Sequence, residues 1–78
     1  MNLRRPAQPM PDDVAALLTE HNLRNVYDER PAYQRNDYLA WISRAKRPET
    51  RGKRIGQMLD ELERGGVYMG MRHQPSER

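Results

Sequence analysis

The chain has 78 residues, 14 Lys and Arg against 11 Asp and Glu, a net charge of +3 and no cysteine. That length allows one small domain, and the missing cysteines exclude a disulfide scaffold and any thiolate metal site. Leu, Ile, Val and Phe together supply only 12 residues, which excludes a membrane span and a large enzyme core and brings disorder into view. The low net charge and the gathering of apolar residues into stretches argue for a fold.

Residues 1–10, MNLRRPAQPM, are polar, proline-rich and without periodicity. They read as a flexible arm. No apolar run of signal-peptide length follows, so the expected compartment is the cytoplasm. From Pro11, Val14, Leu17 and Leu18 recur at i, i+3, i+4 behind Asp12 and Asp13, which predicts a helix over 11–20. His21-Asn22 breaks it, and Asn22 is the expected N-cap of a second helix over 23–29 with Leu23, Val26 and Tyr27 on its apolar face.

Arg30-Pro31 sets the next boundary, because a residue before proline avoids the α region. Tyr38, Trp41, Ile42 and Ala45 then fall at i, i+3, i+4, i+7 and predict a helix over 31–46. Trp41 lies mid-stripe and is the expected centre of the core; an exposed tryptophan would instead be a partner anchor. Arg47-Pro48 ends that helix and opens the last, over 48–64, on the stripe Ile55, Met58, Leu59, Leu62. Glu49–Lys53 and Asp60–Arg64 are its i, i+4 charge pairs, and Gly65-Gly66 stops it. Gly52 and Gly56 lie on one side of this helix, where each costs about 0.8–1 kcal/mol against alanine. Their spacing fits a closely packed neighbour, the helix of Trp41, as well as simple tolerance.

Val67-Tyr68-Met69 extends over the core, and residues 70–78 read as a flexible tail. The expected architecture is all-α: a small four-helix orthogonal bundle forming a single helical domain over 11–69, with flexible termini.

Nothing in the chain has the spacing of a catalytic centre. His21 and His73 stand apart with no cysteine, which gives no metal-ligand set. Ser43 and Ser76 have no histidine beside them to form a nucleophile–base pair. Asp60, Glu61 and Glu63 read as a solvated face of the last helix. No phosphate-loop or dinucleotide pattern is present. The expectation is therefore no enzyme, no catalytic residue, no metal and no cofactor.

The charge feature is Arg44–Arg54, RAKRPETRGKR, with six cations against the single acid Glu49 at a helix–turn–helix junction. It suits phosphate contact with DNA or RNA. The favoured reading is a solvated turn, with the charges at 51, 53 and 54 pointing in different directions. Arginine makes up 12 of the 14 cations, which fits planar recognition of phosphate or carboxylate and equally an arginine-favouring genome.

Trp41-Ile42, Ala45-Lys46, Thr50-Arg51 and Arg54-Ile55, with Leu59 and Leu62 before Gly65, carry a resemblance over about residues 31–65. In this WI-x2-AK-x3-TR-x2-RI spacing the chain resembles the YdeI/OmpD-associated, bacteriocin-protection family. The resemblance implies a small helical module of a cytoplasmic bacterial protein, acting in bacteriocin tolerance or envelope stress. In that family the module often follows another domain, which is not expected before this one, and Gly52 and Gly56 depart from its pattern. Lys46, Thr50, Arg51 and Arg54 match the motif, and with Arg47 they form the expected binding site; equally, Thr50 serves as a hydrogen-bonding residue near the helix start and the arginines pair with carboxylates. A protein partner is the leading expectation; a nucleic acid held by the 44–54 segment is the alternative.

Overall fold

The computed structural model describes residues 8–72. Four helices follow in chain order: α1 (Asp12–Glu20), α2 (Arg24–Glu29), α3 (Ala32–Ser43) and α4 (Pro48–Arg64). A two-stranded hairpin, β1 (Val67–Tyr68) and β2 (Met71–Arg72), closes the described chain. The all-α bundle therefore forms, α3 packing on α4 and both α2 and β1 lying against α4.

The three proline boundaries act through backbone geometry. Arg30 and Arg47 are both extended ahead of their prolines, at ψ 150° and 143°. Pro48 takes the first position of α4, where its missing N–H has no partner to lose. Pro11 and Pro31 sit just outside α1 and α3, one residue earlier than a helical position.

Asn22 is not the N-cap of α2. It is left-handed, with φ 58°, and ends α1 instead. Its N–H donates to the Thr19 carbonyl (3.1 Å) and the Leu23 N–H to the Leu18 carbonyl (2.8 Å), which is a Schellman closure. Leu18 and Leu23, which flank that closure, are both buried in the core. α3 stops at Ser43, short of the expected 46. The Ala45 N–H reaches the Ile42 carbonyl (3.2 Å), a tightened final turn, and the extended Arg47 needs the residues before it to reverse the chain.

The core joins Val14, Leu18, Leu23, Tyr27, Tyr38, Leu39, Ile42, Ile55, Met58 and Leu62. Each large apolar side chain so buried stabilises the fold by about 1.5–3 kcal/mol. Tyr38, fully buried, holds the central place expected of Trp41, which is half-buried at the edge of the cluster. Of the expected stripe Tyr38 and Ile42 are buried, but Gln34 and Leu39 join them in place of Trp41 and Ala45, so the buried face of α3 is rotated by a fraction of a turn. Gly52 and Gly56 do not pack against α3: both are exposed, and apart from the adjoining backbone of α4 no described residue lies within 4 Å of where a Cβ would stand.

Of the expected arm, residues 1–7 lie outside the described residues, while Met10 packs on the core and the Gln8 N–H donates to Asn36 Oδ1 (2.7 Å). Of the expected tail, residues 73–78 lie outside them, whereas Val67 pairs with Arg72 and Tyr68 with Met71. The hairpin turn, Met69-Gly70, has φ 53° and 82°, the geometry of a type I′ turn.

Candidate functional site

The five residues expected to bind are not alike in the structure. Lys46 and Arg47 are exposed in the turn between α3 and α4, and Thr50 is half-buried in the first turn of α4. Arg51 reaches back across the bundle to α1. Its Nη1 and Nη2 donate to the Asp13 carboxylate at 2.5 and 3.1 Å, a two-pronged pair. The Arg51 hydrogen bond holds the Asp13 carboxyl below its ordinary 3.8, and the same bond raises the Arg51 pKa.

Arg54 turns towards α3. Its guanidinium lies 5.2 Å over the Trp41 ring, and Nη1 donates to the Trp41 carbonyl at 2.6 Å. The structure thus separates the basic segment into two sets. Arg51 and Arg54 lock α4 to α1 and α3. Arg44, Lys46, Arg47 and Lys53 are exposed and make no side-chain hydrogen bond or ion pair among the described residues.

A second constellation, which the sequence did not announce, lies where α3, α4 and the hairpin meet. Glu61 was expected on a solvated face and is only 3% exposed. It follows Met58 by three residues, so it falls on the buried side of α4. Four donors converge on its carboxylate. The Tyr38 hydroxyl and the Met69 N–H (2.8 Å) reach Oε1, and the Gly70 N–H (2.7 Å) and Gln57 Nε2 (2.9 Å) reach Oε2. Burial first, and the Glu61 hydrogen bond second, push the Tyr38 phenol well above its ordinary 10.0.

Arg30 and Gln34 complete the network at 5% and 0% exposure. Arg30 Nη1 donates to Gln34 Oε1 (3.1 Å) and to the Val67 carbonyl (2.9 Å), and Nη2 to the Glu61 backbone carbonyl (3.1 Å). No buried side-chain nitrogen or oxygen among the described residues lacks a partner. The available signal was spacing: Gln34 and Tyr38 stand four apart and so share one face of α3, while Arg30 reaches them from the extended residue before Pro31. Their polar identity hid it.

Above this network the aromatic rings step outwards. Tyr68 meets Tyr38 edge-on at 5.5 Å and Tyr33 at 6.1 Å, and its hydroxyl donates to Asp37 Oδ2 at 2.6 Å. Tyr33, 49% exposed, is the one large hydrophobic side chain open to solvent among the described residues. Those residues also hold no group of three or more His, Asp or Glu able to grip a metal ion. His21 caps α1 through its backbone, and His73 lies outside the described residues. Among the described residues no helix is long and apolar enough to cross a membrane.

No curated protein and no solved structure matches the chain. The resemblance carried by Trp41-Ile42 and the basic junction extends further than the motif itself, taking in α1 and α2. Residues 8–65 match the family model described as bacteriocin-protection, YdeI or OmpD-associated, and the chain belongs to that family.

Proposed function

We propose that the chain is a non-enzymatic helical module that acts by binding a protein partner, in the bacteriocin-tolerance or envelope-stress role its family's name suggests. We assign it to the cytoplasm on its lack of cysteine. The observation that carries the binding reading is the internal use of Arg51 and Arg54. Two of the four arginines of the basic segment are held by Asp13 and Trp41. Tyr33 meanwhile offers an aromatic surface, backed by the Tyr68 ring. The convergent acid, Glu61, spends its lone pairs on the hairpin and on Tyr38, which supports a structural rather than a proton-transferring role.

The test is capture from native lysate with and without nuclease. A retained protein that survives nuclease and is lost with Tyr33→Ala supports this reading; capture that vanishes with nuclease refutes it.

A second reading rests on Arg44, Lys46, Arg47 and Lys53, four exposed cations around one junction. If all four touch phosphates, counterion release gives a log–log salt slope of about −3.6 on duplex DNA. Lys46→Gln with Arg47→Gln should then flatten it by about two units. Fluorescence anisotropy with labelled duplex and single strands decides it. No binding at about 50 mM salt, where such contacts are strong, ends the nucleic-acid reading.

A further inference from the structure

α4 turns one face of its 17 residues away from the bundle. Glu49, Lys53, Gly56, Asp60 and Arg64 are all exposed along it. At 100° per residue they fall within a stripe about 80° wide. The charges along the stripe run negative, positive, none, negative, positive.

That order is its own complement when reversed. A second α4 laid antiparallel, with the two-fold axis between Gly56 and Gln57, sets Glu49 opposite Arg64 and Lys53 opposite Asp60. Symmetry makes each pairing twice. A parallel copy in register would set every charge against itself. Among the described residues only half of these charges are matched: Asp60 and Arg64 pair at 3.2 Å, while Glu49 and Lys53 make no ion pair.

The glycines agree with the same geometry. Gly56 lies at the centre of the paired stripe and Gly52 one turn away, and apart from the adjoining backbone of α4 no atom of the described residues stands within 4 Å of either missing Cβ. Nothing among the described residues therefore uses their smallness, although each weakens α4 relative to alanine. Against a second helix they let the axes approach to the short end of the usual 8–10 Å range, about 8 Å.

We propose that the outer face of α4 is a self-association surface on which a second copy of this chain docks antiparallel. The proposal goes beyond the binding role above and does not depend on it. A helix of this length spans about 25 Å, so the interface falls below about 1,200 Å² and the dimer is weak and reversible, with a Kd of about 100 μM. Glu63 is the one charge on this face that opposes it. In the docked pair it lies beside the copy's Glu49, so Glu63→Gln should tighten association.

Sedimentation equilibrium on the full chain, from about 10 μM to about 1 mM so as to bracket that Kd, reads the outcome. Lys53→Glu places like charges at two contacts, and so does Asp60→Lys; each alone should weaken the dimer about tenfold. In an equimolar mixture of the two variants the charges oppose again at both contacts. The mixture should regain the parent's affinity to within about threefold. Gly56→Leu should keep the helical circular dichroism, since the site is open, and abolish the dimer. A parent chain that stays monomeric across the range overturns the proposal. So does a dimer unmoved by the single charge reversals, or a mixture that associates no better than either variant alone.

Discussion

Glu61 shows how much one side chain can organise. Its carboxylate holds the Tyr38 hydroxyl and both amides of the Met69-Gly70 turn, joining α3 and the hairpin to α4. Glu61→Ala would strand those buried donors, each costing about 1–3 kcal/mol unpaired. The expected total is about 3–5 kcal/mol, read by urea unfolding, with the Met69 and Gly70 amides losing exchange protection first. Glu61→Gln should lose nearly as much, because its NH₂ would face an N–H. A variant that keeps the parent's protection at both amides would show that the turn holds itself. The same scale separates Tyr38 from Trp41. Truncating the buried Tyr38 to Ala should cost about 3–5 kcal/mol, and truncating half-buried Trp41 clearly less. Residue type was a poor guide at both places. A carboxylate reads as surface and a tryptophan as core until the helical phase is known, and a stripe shared by Tyr38, Trp41 and Ile42 fixes the buried direction only to within about 100°, one residue's rotation.

At the scale of elements, helices were legible where chemistry punctuates them. Pro31 and Pro48, the Gly65-Gly66 stop and the Ile55–Leu62 stripe all mark boundaries or faces that the structure keeps. Asn22 was harder, because asparagine suits both an N-cap and a left-handed residue, and the two roles differ only in φ. They predict opposite behaviour. At φ 58°, Asn22→Gly should hold or raise stability, while Asn22→Ser should cost about 1 kcal/mol through left-handed strain. An N-cap would accept serine without loss. Thermal melts of the two variants give the sign directly. The hairpin was the least legible element. Its strands are two residues each, and the turn sets the non-glycine Met69 at φ 53°. Its register depends on Glu61 and Arg30, residues six or more positions away that no local pattern announces.

For the whole molecule, the charged and phenolic groups tie distant segments together, and their titration should set where the fold is stable. Hydrogen bonding to Arg51 lowers the folded pKa of Asp13 below 3.8. The contribution of that pair is present above the unfolded value and is lost as pH falls through the folded one. The pair is solvent-open, with Asp13 56% exposed, so the acid loss should be small. The alkaline side differs. Burial raises the folded pKa of both Tyr27 and Tyr38 above 10.0, with the Glu61 hydrogen bond adding to Tyr38. A raised pKa means the folded state holds its proton more tightly. That stability is fully present below the unfolded value and drains away as pH rises past it. The chain should therefore show a broad plateau through neutral pH and a steep loss above about pH 10. Tyr38→Phe should be less stable at neutral pH, because Glu61 loses a donor, yet should lose less on going from pH 9 to about pH 11. Urea unfolding at those two values measures the difference in slope. Equal alkaline slopes for parent and variant would mean that Tyr38 exchanges its proton freely with solvent, and that the link between α3 and the Glu61 carboxylate is not the closed, dry contact the structure describes.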